Sequence, residues 1–212
     1  MVSSFAQQGW AQEDAEIVRR VRRGDTQAFD ALFHRYYNPI YGFAFHLLGD
    51  GTAAEDVAQE AFVRAFAGIA GLRDADAFLE WMYRITLNLV RDRARNNRRK
   101  PWISFFDLRK SRSREEAEPV DFADAALDPA RIAQSDARAG ALYAAIAALP
   151  QEFREVVVLH HLQKVGVQGI ARLLGVPEGT VKSRLGRARA KLRSALADWI
   201  EGVDDDAQRS ST

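Results

Sequence analysis

Cysteine is absent from all 212 residues, which excludes disulfides, thiolate catalysis and any zinc site built on thiolates. Histidine is scarce. His34, His46, His160 and His161, with Glu55, Asp56 and Glu60, are the only candidates for acid–base work or metal ligation. None of them falls in an HExxH or comparable ligand spacing, and no glycine-rich phosphate loop follows a strand. Neither catalysis, nor a metal, nor a cofactor is expected. No apolar run approaches the roughly 18 residues needed to cross a bilayer, so no membrane insertion is expected. The first dozen residues carry no Lys or Arg and no apolar stretch, so a secretory signal is not expected and a cytoplasmic location is.

Net charge is nearly absent as well, at +1 from 30 basic and 29 acidic residues. A composition that is 47% hydrophobic and 28% charged suits a soluble globular chain. At about 150 residues per domain, this length allows one or two domains. The charges are segregated. Between Arg84 and Lys100, seven cations face the single acid Asp92, a net of +6. Between Lys182 and Arg193, six cations face no acid, again +6. The tail from Glu201 onward has a net charge of −3. Basic stripes of this density mark a chain that binds a polyanion, unless neighbouring elements supply counter-charges to an ordinary solvated face.

Hydrophobic spacing predicts an all-α fold of two small helical domains joined by a flexible linker. Residues 1–12 lack periodicity and are expected to form a disordered arm. In 13–103, Phe29, Leu32, Phe33, Tyr36, Tyr37 and Ile40 form one stripe. Gly49 to Gly51 break it, and Thr52 is placed to cap the next helix. That helix buries Ala58, Ala61, Phe62, Ala65 and Ile69 and ends near Gly68 and Gly71. Another runs from about Ala75 with Phe78, Met82, Ile85 and Leu89 inward, until Pro101 stops it. Residues 104–133 have linker composition, with charges blocked by sign. A second helical block spans 134–200, with Pro150 in a first turn. Val156–Leu159 has strand propensity, yet Phe153, Val156, Val157 and His160 fit helical spacing and no partner strand is evident. It reads as helix. Residues 201–212 form the acidic tail.

Within the second block, a short helix (Gln168–Leu174) ends at Gly175, which suits a left-handed cap. Pro177 opens a new helix, in which Val181, Leu185, Ala188 and Leu192 fall within about 60° of one another. This is helix-turn-helix grammar. Gly179, Thr180, Ser183, Gly186 and Arg187 face the other way, as a recognition helix in a major groove requires. Arg187 suits a bidentate contact to guanine, and Ser183 and Thr180 suit base edges or phosphate. Arg184, Arg189, Lys191 and Arg193 lie on the flanks, where phosphates would be met. In the first block, Asp56, Gln59, Glu60 and Val63 face outward together beside Arg64. The next helix mixes Trp81 and Tyr83 with Arg84, Asn88, Arg91 and Arg95, and aromatics among arginines suit unpaired nucleic acid. For Trp81 a place in the core is an equally open reading.

Taken together, AEDVAQEAFVRAFAGI (Ala54–Ile69), FLEWMYRITLNLVRDRARNNRR (Phe78–Arg99), LPQEFREVVVLHHL (Leu149–Leu162) and GVPEGTVKSRLGRARAKLR (Gly175–Arg193) resemble the extracytoplasmic-function (ECF) sigma factors of bacterial RNA polymerase. The resemblance implies that Asp56, Gln59, Glu60, Val63 and Arg64 contact the clamp helices of the polymerase's largest subunit. It implies that the loop Gly71–Asp76, with Arg84, Asn88, Arg91 and Arg95, holds a flipped base and the non-template strand of the −10 element. Ser183, Arg184 and Arg187, with Thr180, Lys182 and Arg189, would read the −35 duplex. Core RNA polymerase, promoter DNA and a sequestering anti-sigma factor are the implied partners. The sequence departs from the pattern at Gly186, where a larger side chain is common, and at Gln168 and Gly169, which leave the helix start without an evident cap. The alternative is a stand-alone helix-turn-helix regulator whose first block senses a ligand or dimerises.

Overall fold

A computed structural model describes residues 4–72, 74–97 and 137–197, with side chains from residue 12 within the first stretch, to residue 95 in the second and from 139 in the third. The chain divides into two compact units between Asp128 and Pro129, and every described element is helical. The expected stop at Pro101, the linker and the acidic tail lie outside the described residues.

The first unit holds α1 (Ser4–Arg22), α2 (Phe29–Leu48), α3 (Gly51–Gly68) and α4 (Phe78–Asn97). α1 overturns part of the sequence reading, because its backbone is helical from Ser4, within the segment expected as a disordered arm. Ala, Gln and Glu are good helix formers, and this stretch runs on into a buried stripe of Ala15, Val18 and Val21 that holds the helix down. α2 is the centre and packs against α1, α3 and α4. Phe29, Leu32, Tyr36, Tyr37 and Ile40 are buried as expected, while Phe33 is only half-buried. Phe43, Ala44, Phe45 and Leu47 are buried too, so the second half of α2 is enclosed nearly all round. Gly49 closes it in the left-handed region (φ 71°), its N–H bonding the Phe45 carbonyl. The cap of α3 is Asp50 rather than Thr52, its carboxylate accepting from the Ala53 N–H at 2.7 Å. Asp50 has the extended backbone an N-cap needs, whereas Thr52 is already inside the helix.

Asp14 joins α1 to α2. Its buried carboxylate accepts from the Tyr36 hydroxyl and the Arg35 guanidinium, and Arg35 also reaches Glu13 at 2.8 Å. Burial pushes the Asp14 carboxyl above the usual carboxylate range, against the Tyr36 hydrogen bond and the Arg35 charge. Burial and the Asp14 carboxylate push the Tyr36 phenol up.

His46, on the last turn of α2, is pushed down to about 4 by burial. Its folded form therefore resists protonation that the unfolded chain accepts near 6.5. The resulting stability is complete above about pH 6.5 and is lost as pH falls towards 4, a loss of about 2 kcal/mol between pH 7.5 and 5. Urea midpoints of the full chain across that range, compared with His46→Phe, check this. The variant should lose less stability on acidification.

The second unit holds α5 (Ala137–Ala148), α6 (Gln151–Val157), α7 (Val167–Leu174) and α8 (Glu178–Ala195). Val156–Leu159 is helical, as its spacing predicts, but from Val158 to Leu162 the helix widens into a π-turn. The Gln163 N–H bonds the Val158 carbonyl five residues back at 3.0 Å. Phe153, Val156, Val157, Val158, Leu159, Ile170, Leu173, Val181, Leu185 and Ala188 make the core.

Candidate functional site

On α3 the structure brings Asp56, Gln59, Glu60, Val63 and Arg64 to the surface, all exposed. Helical spacing of 3.6 residues per turn puts them on one face. Val63 is 64% exposed and Phe66, a turn further on, 44%, so an apolar spot sits amid the polar stripe. Phe66 was not singled out from sequence, although its spacing of seven from Gln59 places it on this face. Its ring packs edge-on against Phe29 at 5.2 Å, which fixes it without hiding it. Arg64 bonds Glu60 at 2.7 Å, and Asp56 is held across the helix pair by Arg93 of α4 at 3.1 Å.

On α4, Arg84, Asn88, Arg91 and Arg95 recur at i, i+4, i+7 and i+11, within about 60° of one another. Arg84, Asn88 and Arg95 are exposed and Arg91 half-buried. Arg84 pairs with Glu80 at 3.5 Å, and Arg95 pairs with Asp92. Gly71 and Asp76 are exposed in the two 3-10 turns between α3 and α4. The aromatic part of the reading needs correction. Tyr83 is buried, its ring against Phe43 at 4.9 Å, and cannot stack on a base. Ile85, expected in the core, is half-buried. Helix α4 turns Leu87 and Val90 inward instead, beside Phe78, Met82 and Leu89. Trp81 is half-buried, beside Phe78 and against Gly68, where even a methyl group would meet its ring at 3.3 Å.

In the second unit, α7 ends on Gly175 in the left-handed region (φ 68°), as the sequence predicts, and Pro177 is the cap residue of α8. Helix α7 begins at Val167, one residue before the expected start. Its cap residue Gly166 has no side chain to bond the first amides, which matches the poor cap read around Gln168. Val181, Leu185 and Ala188 are buried, with Leu192 half-buried. Lys182, Ser183, Gly186, Arg187 and Arg189 are exposed, and Thr180 and Arg184 half-buried.

Residues 32–100 match the Sigma-70 region 2 family and residues 139–192 the Sigma-70 region 4 family. An RNA polymerase sigma-H factor of Pseudomonas aeruginosa is 33% identical over 188 residues, which span 87% of this chain and 94% of that protein. The chain belongs to the ECF sigma factors. The ECF RNA polymerase sigma factor SigW of Bacillus subtilis is 32% identical, over 85% of this sigma factor and 95% of its own length. Among solved structures, CnrH in complex with the cytosolic domain of CnrY matches with a TM-score of 0.60 and 26% identity, over 87% of this chain and 97% of that one. The sigma factor RpoE of Bartonella quintana, at 20% identity and a TM-score of 0.57, shares the fold over 80% of this chain and 96% of its own. Membership goes against the reading as a stand-alone regulator.

Two hydrogen bonds refine which groups of this sigma factor's region 4 are available to DNA. The Ser183 hydroxyl donates to the Thr180 carbonyl at 3.0 Å, leaving its oxygen as an acceptor for a base amino group. Arg184 reaches Glu152 on α6 at 3.3 Å, so a phosphate would have to share or displace that carboxylate. Arg187 stands exposed between them on the helix surface, with no acid on its own turn.

Proposed function

We propose that this sigma factor confers promoter specificity on RNA polymerase through three helical faces, one on each of α3, α4 and α8. Asp56, Gln59, Glu60, Val63 and Arg64, joined by Phe66, form the face for the clamp helices of the polymerase's largest subunit. An exposed apolar centre within a polar rim is the anatomy of a protein interface. Gly71, Asp76, Arg84, Asn88, Arg91 and Arg95 serve the −10 element and its displaced strand, with half-exposed Trp81 as the remaining aromatic edge. Thr180, Lys182, Ser183, Arg184, Arg187 and Arg189 serve the −35 duplex. Residues 13–103 and 134–200 act as the two heads, 104–133 as the tether, with 201–212 as an acidic extension. The protein carries no catalytic group of its own and works in the cytoplasm. The complexes of CnrH with CnrY and of RpoE with its anti-sigma factor NepR support an anti-sigma partner here.

The single observation that carries this reading is the alignment of Arg84, Asn88, Arg91 and Arg95 along α4, directly beside the polymerase-facing helix that Arg93 ties to it. Reconstitution tests it. Core polymerase with the full chain should open promoter DNA and start RNA chains, and neither component alone should. Val63→Glu should weaken core binding while leaving thermal unfolding unchanged. Specific promoter binding by the isolated chain, with no initiation on adding core enzyme, would overturn the proposal.

A further inference from the structure

Between α6 and α7 lies a group of cations that the three faces do not absorb. The π-turn puts His160 and His161 side by side, their rings 4.8 Å apart and nearly perpendicular. The His160 ring is anchored, its Nδ1 3.2 Å from the Val165 carbonyl. His161 is exposed. Lys164 follows with a φ of 59°, the one described non-glycine residue in the left-handed region. That conformation is costly for a lysine and persists only where the surroundings impose it. Here the Val165 N–H, bonded to the Leu159 carbonyl at 2.9 Å, closes the loop that imposes it.

Burial lowers the His161 pKa, and like charge lowers it further, from His160, from Arg189 on α8 and from Lys164. These three groups come from its own turn, from the recognition helix and from the loop. α7 brings Arg172 as its only charged residue. The nearest acid earlier on its own helix, Glu155, is buried and takes a hydrogen bond from Gln151. A group of cations drawn from separate elements, with no acid acting on the histidine, is a place built for an anion.

We propose that His161 and Lys164, together with Arg189, form a clamp for a phosphate of the DNA backbone beside the −35 element. The inference rests on the reading of α8 as the recognition helix. It adds two backbone-binding residues outside that helix and makes duplex binding take up a proton. With a phosphate in place, the anion reverses the balance of charge at His161, and the imidazole becomes protonated on binding. Affinity therefore rises as pH falls from 7.5 to 6.0, by at most about tenfold per pH unit, the ceiling for one proton.

The test is holoenzyme binding to promoter duplex with the −35 sequence intact or scrambled, at several salt concentrations and at pH 7.5 and 6.0. Wild-type holoenzyme should prefer the intact sequence and bind it more tightly at pH 6.0. His161→Gln should keep the preference and lose most of the gain on acidification. Lys164→Ala should lower the salt slope by about one phosphate contact without changing the preference, and Lys164→Arg should restore it. If the preference is present but His161→Gln and Lys164→Ala match wild type in pH response and salt slope, the clamp is wrong and the −35 reading stands. Should wild type show no preference for the intact sequence, both are wrong.

Discussion

Arg187→Ala should cost about 1–3 kcal/mol of discrimination at one base pair of the −35 element, a factor of roughly 5 to 150. The side chain is exposed on the side of α8 opposite the buried Val181, Leu185 and Ala188, so its loss leaves the fold intact. Arg193→Ala, at the helix end, should weaken binding to all sequences alike and lower the salt slope by about one. Binding of holoenzyme to a panel of single-base −35 variants separates the two. Equal, sequence-independent losses would mean that the base-reading face of α8 lies elsewhere.

Asp14→Ala should destabilise the first unit by about 3–5 kcal/mol, the cost of removing one member of a buried ionic cluster. The substitution leaves the Arg35 guanidinium facing a cavity and the Tyr36 hydroxyl without its acceptor. Arg19→Ala, which removes only an exposed pair with Glu16, should cost less than about 1 kcal/mol. Chemical denaturation of the full chain, followed by fluorescence, compares the variants. A small effect of Asp14→Ala would show that α1 is held by its apolar stripe alone. Because α1 also packs beside the 3-10 turns before α4, its loosening should reduce promoter opening before it reduces core binding.

Much of this was legible in the sequence because it depends on periodicity. The stripes of α2 and α3, the glycine at the end of α7 and the proline before α8 follow from residue type and spacing alone. The outward faces of α3 and α8 are the complements of those stripes and were legible for the same reason. Spacing did not reveal what each polar group bonds. Asp50 rather than Thr52 caps α3 because backbone conformation, not residue type, decides between adjacent candidates. Tyr83 was read as an aromatic available to bases, yet it is sealed against Phe43, because a tyrosine suits a core as well as a surface. Nor does the sequence announce that Arg184 meets Glu152, or Arg93 meets Asp56, since such pairs form between helices distant in the chain. The arm at 1–12 was misread because a helix start can carry too few apolar residues to show a period.

The widened turn at Val158–Leu162 has a consequence for how this molecule tolerates length change. It holds one residue more than an α-helix of the same span would. Each α-helical residue advances the chain by about 100°, so deleting one residue here would turn the following segment by roughly that angle. Lys164 would then swing off the side it shares with Arg189, with every amino acid type unchanged. The bearing of this corner is kept by counting, and a single codon lost there would do more harm than many substitutions.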